Sequence, residues 1–104
     1  MNAARIEMLE KFIQEDPTDP FPVYALALEY QITERTKAQQ LFERLLGKHP
    51  DYLPTYYMAG IFFLDQGEVV RASEVLQSGL ALAKAQKDLA AARELQSALE
   101  NLEG

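Results

Sequence analysis

The sequence predicts an all-α protein of about six helices, packed as antiparallel pairs in a repeat solenoid and closed by a terminal capping helix. Three observations predict it. Apolar residues recur with helical period along nearly the whole chain. Pro, Gly and Asp punctuate that pattern at short intervals. Residue types also return every 33 or 34 positions.

The first helix is expected over residues 3–15, where Ile6, Leu9, Phe12 and Ile13 form an apolar stripe and Asp16-Pro17 stops the chain. The second is expected over 20–31. Asp19 is placed to cap it, and Pro20 and Pro22 both sit in the first turn, where proline costs nothing. The third, over 35–48, begins around Thr33 to Thr36. It carries Ala38, Leu41, Phe42, Leu45 and Leu46 at i, i+3, i+4, i+7 and i+8, and His49-Pro50-Asp51 ends it.

The fourth element needs more argument, because YYMAGIFFL at Tyr56–Leu64 is nine apolar residues in a row. A membrane-spanning helix needs about 20 such residues. This run is bounded by Asp51 and Asp65, so a span is excluded. A buried strand fits the aromatic and Ile content. Yet a lone strand among helices would have no ladder partner for its amides. The run is read as a helix over 53–66, opened by Pro54 and stopped by Gly67. A fifth helix over 69–85 presents Val69, Ala72, Val75, Leu76, Leu80 and Ala83. A sixth over 88–102 presents Leu89, Ala92, Leu95, Leu99 and Leu102. The break between them falls at Lys87-Asp88, with one continuous helix as the alternative. Short loops make neighbouring helices antiparallel.

The internal repeat is explicit. Pro17 and Pro50 are 33 apart, Pro20 and Pro54 34. Ala38 returns as Ala72, Leu41 as Val75 and Phe42 as Leu76, each after 34; Ala27 returns as Gly60 and Tyr30 as Phe63 after 33. Leu9 stands 33 before Phe42. The 104 residues are thus expected to form one domain: a half repeat at about 3–18, full repeats at about 19–52 and 53–86, and a capping helix at about 88–102.

This pattern resembles the tetratricopeptide repeat family, a helix–turn–helix unit of about 34 residues with the motif W-x2-L-G-x2-Y, then A-x3-F, then P. The matching residues are Val23, Leu26, Ala27 and Tyr30, then Ala38 and Phe42, then Pro50. In the second repeat they are Tyr56, Ala59, Gly60 and Phe63, then Ala72 and Leu76. Two departures stand out. Lys84 replaces the closing Pro, and the first repeat lacks both the small Gly and the turn Gly. The resemblance covers roughly residues 1–86. The physical content of the motif stands without the family. Small residues at Ala27, Ala38, Gly60 and Ala72 let backbones approach, and large ones at Tyr30, Phe42, Phe63 and Leu76 fill the space between helices. Gly79 falls where the family keeps a small residue for close contact with the next helix.

A second apolar stripe is left over on the first helix of each repeat. Phe21, Tyr24, Leu28 and Gln31 follow one another at i, i+3, i+7 and i+10, and Tyr57, Ile61 and Leu64 do the same on the fourth helix. A helix apolar on two sides is either covered on both or presents a patch. The resemblance implies that such stripes line a groove for a peptide or partner helix. The competing reading packs them against flanking helices. Tyr24 and Tyr57 are expected to be the most accessible, since a phenol tolerates a wet edge. Family members that clamp a C-terminal carboxylate use Lys, Asn and Arg on this stripe. Tyr24, Leu28, Tyr57 and Ile61 stand there instead, so the resemblance implies an apolar or aromatic-rich ligand.

Composition narrows the function classes. The net charge of −6 disfavours nucleic acid, whose phosphates need clustered Lys and Arg. Cysteine is absent, which removes disulfides and thiolate metal sites and fits a reducing, cytoplasmic setting. The start, MNAARIEMLEKF, lacks the pattern of a signal peptide. His49 is the sole histidine, in a turn before Pro50, so neither a metal centre nor a catalytic base is expected. No glycine-rich phosphate loop occurs, and neither catalysis nor a cofactor is expected. The expected function is an adaptor that binds a protein or peptide without membrane insertion. The alternative is a scaffold that forms a homodimer through the same face or through the repeat ends.

Overall fold

The computed structural model describes residues 2–103, with side chains for residues 2–102. Six helices follow in order: α1 (Ala3–Glu15), α2 (Pro20–Tyr30), α3 (Arg35–Lys48), α4 (Pro54–Asp65), α5 (Val69–Ala85) and α6 (Leu89–Glu103). Among the described residues there is no strand, and YYMAGIFFL lies within α4. No helix there is long and apolar enough to cross a membrane. The region 69–102 is two helices rather than one.

The helix ends are made by local chemistry. Asn2 caps α1, its Oδ1 accepting from the Arg5 N–H at 3.0 Å, and Asp19 caps α2 by accepting from the Phe21 N–H at 3.0 Å. Pro20 and Pro54 open α2 and α4 from the first turn. The α4 terminus closes with two reversed backbone bonds, Gly67 N–H to Leu64 C=O at 2.9 Å and Glu68 N–H to Phe63 C=O at 2.9 Å. This closure requires a left-handed residue, and Gly67 supplies it at φ 82°. The α5 terminus closes identically: Lys87 N–H bonds Lys84 C=O at 3.1 Å and Asp88 N–H bonds Ala83 C=O at 2.9 Å. Here Lys87 takes the left-handed position at φ 60°. Asp88 then caps α6 by accepting from the Ala91 N–H at 3.0 Å.

The chain divides into two compact units between Tyr52 and Leu53. In the first, α2 packs on both α1 and α3. Its core holds Ile6, Leu9, Val23, Leu26, Ala27, Tyr30, Ala38, Phe42 and Leu45. In the second, α5 packs on both α4 and α6, and α6 also touches α4. Its core holds Tyr56, Ala59, Phe62, Phe63, Ala72, Leu76, Ala83, Leu95 and Leu99. The small positions of the repeat are buried as the packing requires. A Cβ on Gly60 would stand 2.5 Å from Leu76 Cδ2, closer than a contact allows.

The repeat extends to a detail the motif does not show. Lys37 sits over the Tyr30 ring at 5.2 Å, and Arg71 sits over the Phe63 ring at 4.7 Å. The cations are 34 residues apart and the rings 33, so both repeats pair a cation with the last aromatic of the preceding helix.

Three residues of the expected stripes face solvent instead. Val69 and Leu89 are the first residues of α5 and α6. A helical side chain leans toward the N-terminus, so a first residue points off the end of the packed surface. Phe12 lies at the edge of the stripe formed by Ile6, Leu9 and Ile13, and is 44% exposed.

Candidate functional site

In the first unit the leftover stripe of α2 lines a groove. Phe21, Tyr24 and Leu28 share a cavity of about 550 Å³ with Ala25, Glu29, Ile32, Thr33 and Arg5 of α1. The local reason is the capped, proline-opened start of α2. Asp19 and Pro20 set the first turn, and Phe21 follows at once with 56% of its surface exposed. Tyr24 and Leu28 are half-buried, one and two turns further on. Gln31, the residue after α2, does not join the lining; Ile32 does, and it is 76% exposed.

Charge on this groove is paired. Arg5 Nε lies 2.7 Å from Glu29 Oε1, tying α1 to α2 across its edge. With the Arg5 side chain about half exposed, the pair contributes orientation more than stability. Tyr24 is braced from its own unit. The Tyr52 ring meets it edge-on, with centroids 5.8 Å apart and planes at 70°. Burial pushes the Tyr52 phenol up from its ordinary value, and the Asp19 carboxylate adds to that shift.

In the second unit Tyr57, Ile61 and Leu64 lie along one side of α4, each half-buried, while Tyr56, Phe62 and Phe63 are buried. The α4 run therefore divides by helical period into residues that fill the core and residues partly in water.

Sequence reasoning found Phe21, Tyr24 and Leu28 for the groove but missed Ile32, Tyr52, Arg5 and Glu29. Ile32 continues the spacing four residues after Leu28, and that signal was legible. Tyr52 and Arg5 come from the turn after α3 and from α1, which only packing brings beside α2, whereas Glu29 stands on α2 itself and is marked out only by the ion pair that Arg5 brings to it. His49 is a helix terminus, its N–H bonding Leu45 C=O at 2.8 Å. Among the described residues no three of His, Cys, Asp and Glu converge into a set that could hold a metal.

Comparison with known proteins places this geometry. A family model described as tetratricopeptide repeat matches residues 34–99. That match begins just before α3 and runs to Leu99 in α6, beyond the residues that carry the motif. A tetratricopeptide repeat domain protein from Salinibacter ruber, known as a crystal structure, is 33% identical with TM-score 0.78; the similarity covers 83% of this chain and 98% of that one. A solution structure of a tetratricopeptide repeat domain protein from the same organism is 34% identical with TM-score 0.80, covering 86% and 91%. A protein from Bordetella parapertussis, also solved in solution, is 26% identical with TM-score 0.80, covering 99% and 90%. No curated protein matches the chain. The all-α, helix-pair fold expected from the 33- and 34-residue spacings is the fold of these relatives, and the chain belongs to the tetratricopeptide repeat family.

Proposed function

We propose that the protein is an adaptor that docks an apolar or aromatic-rich peptide, or a partner helix, on the first helix of each repeat. Phe21, Tyr24 and Leu28, with Gln31 at the helix end, form the strip on α2; Tyr57, Ile61 and Leu64 form the strip on α4. Domains of this family serve in general as protein–protein interaction modules, without catalysis of their own. The observation that carries the reading is the α2 groove, where an exposed Phe21 opens onto about 550 Å³ of mostly apolar lining. Its one ion pair is satisfied internally, which leaves apolar contact and phenol hydroxyls to select a ligand.

Selection of peptides from a displayed random library tests this reading. The expected enrichment is in Phe, Tyr, Trp and Leu at helical or alternate spacing. Binding of the selected peptides is expected to fall in Phe21→Ser/Tyr24→Ser and in Tyr57→Ala/Ile61→Ser, with helicity and melting temperature nearly unchanged. If a double variant unfolds instead, its residues are core and that strip is not a docking surface.

Self-association is the second reading, favoured by α1. Met8 is 46% and Phe12 44% exposed on the helix that forms the half repeat. Light scattering after size exclusion separates the two. A dimer that persists on dilution, and is lost in Met8→Ser/Phe12→Ser, favours the scaffold.

A further inference from the structure

A second groove lies between α5 and α6 and shares no residue with the α2 groove. It is a shallow, open depression of about 380 Å³, lined by Leu80 and Lys84 of α5 and by Leu89, Ala92, Arg93 and Gln96 of α6. The α6 residues stand at i, i+3, i+4 and i+7, a single stripe, and Leu80 and Lys84 are one turn apart. Leu89 is 70% exposed, so much of the apolar surface here is in water.

The charge of this lining runs against that of the chain. The protein carries 16 acidic and 10 basic residues, yet the groove holds two cations and no carboxylate. Arg93 has Leu89, Ala90, Gln96 and Ser97 as its helical neighbours, none of them acidic. Among the described residues, neither the Lys84 nor the Arg93 side chain is engaged in an ion pair. By contrast, the α2 groove pairs its Arg5 with Glu29.

We propose that the α5–α6 groove docks an acidic amphipathic segment of a partner protein. Apolar side chains of that segment cover Leu80, Leu89 and Ala92, and carboxylates on either side of them meet Lys84 and Arg93. The apolar lining favours such a segment over a bare anion, which would leave Leu89 in water. The two unpaired cations favour it over a neutral helix, which would leave their charges unanswered. Arg93 supplies the directional contact, because a guanidinium holds a carboxylate through two parallel hydrogen bonds, whereas Lys84 acts as a point charge. The chain's overall negative charge opposes an acidic ligand at long range, so recognition is local and sensitive to salt.

The test uses the full chain and fluorescence anisotropy. The probe is a labelled short helical peptide of leucine and glutamate, with leucines on one face and glutamates flanking them. Its controls replace every glutamate by glutamine or by lysine. The acidic peptide is expected to bind at least about tenfold tighter than either control, and to weaken as salt rises from about 50 to about 300 mM. Lys84→Glu/Arg93→Glu is expected to lose binding with helicity and melting temperature retained, because both side chains are exposed. Lys84→Gln/Arg93→Gln, which adds no new charge, is expected to weaken it part-way. Phe21→Ser/Tyr24→Ser is expected to bind the acidic peptide as well as the parent, which separates this groove from the α2 strip. Equal binding of the acidic and glutamine peptides, unchanged binding by the Lys84→Glu/Arg93→Glu variant, or no binding of the acidic peptide would overturn the proposal. So would binding to vesicles of anionic lipid that the acidic peptide fails to compete, or a dimer abolished by Lys84→Glu/Arg93→Glu in a chain that ignores the peptide. Those last outcomes assign the groove to lipid headgroups or to a second copy.

Discussion

Gly79 on α5 lies against Tyr56 on α4 so closely that a Cβ added there would overlap the Tyr56 Cβ and stand 3.0 Å from its Cγ. The same added atom would approach Leu95 Cδ2 of α6 to 3.2 Å. One hydrogen in place of a side chain therefore lets α5 seat between its two neighbours.

Three glycine-to-alanine changes should differ in sign for this reason. Alanine gains about 1 kcal/mol of helix propensity over glycine. At Gly79 the obstructing atom is a Cβ fixed to the α4 backbone, so Gly79→Ala is expected to be net destabilising by about 1–3 kcal/mol. At Gly60 the obstruction is the Leu76 side chain, which can change rotamer, so Gly60→Ala should cost less than Gly79→Ala. At Gly47 nothing lies within 4 Å, and Gly47→Ala should stabilise by about 0.5–1 kcal/mol. Urea unfolding of the three variants checks the order; a stabilised Gly79→Ala would contradict the packing described.

Lys87 occupies the left-handed position that Gly67 fills in the equivalent turn. An L-residue with a Cβ is strained there, and glycine is not. Lys87→Gly is expected to stabilise the protein by about 0.5–1 kcal/mol, after allowing for glycine's greater freedom in the unfolded chain. Gly67→Ala should destabilise by a similar amount. Thermal melts of both variants read the effect, and a Lys87→Gly variant less stable than the parent would argue against the turn geometry.

Tyr52 links stability to alkaline pH. Burial, then the Asp19 carboxylate, raises its folded-state pKa above the ordinary 10.0. A raised pKa means that the folded state holds its proton more tightly than the unfolded state does. The contribution is fully present below the unfolded pKa and is lost as pH rises through the folded one. Tyr52→Phe should remove part of the alkaline loss of stability. In ultraviolet titration it should delete one late-ionising phenol, and Asp19→Asn should bring that phenol to lower pH. Ionisation of Tyr52 at or below the pH of a free phenol would contradict the assignment.

Thr55 is fully buried in the first turn of α4, and its Oγ1 has no hydrogen-bond partner. An unsatisfied buried hydroxyl costs about 1–3 kcal/mol. Thr55→Val keeps the branched shape and removes the polar atom, so it is expected to be neutral or stabilising by up to about 1 kcal/mol. Chemical denaturation decides this, and a clear loss of stability would show that the hydroxyl has a partner in solution.

The sequence by itself determined the helices, their punctuation and the repeat. Local rules sufficed: apolar period for α1 to α6, proline in the first turns of α2 and α4, Asp19 as a cap and Gly67 as a stop. Those signals lie within a few residues of the structure they specify, so a linear reading finds them. The α2 strip was legible in part, because Phe21, Tyr24 and Leu28 follow one helical period. Only the tertiary structure decided what stands beside that strip. Arg5 and Tyr52 reach α2 from α1 and from the turn after α3, and no spacing rule connects them to it. It also decided that Val69 and Leu89, apolar and in register, would face water, since exposure depends on where the neighbouring helix ends. The α5–α6 groove arises likewise from two stripes that are unremarkable apart. Their cations become a shared feature only when the left-handed turn at Lys87 folds one helix against the other.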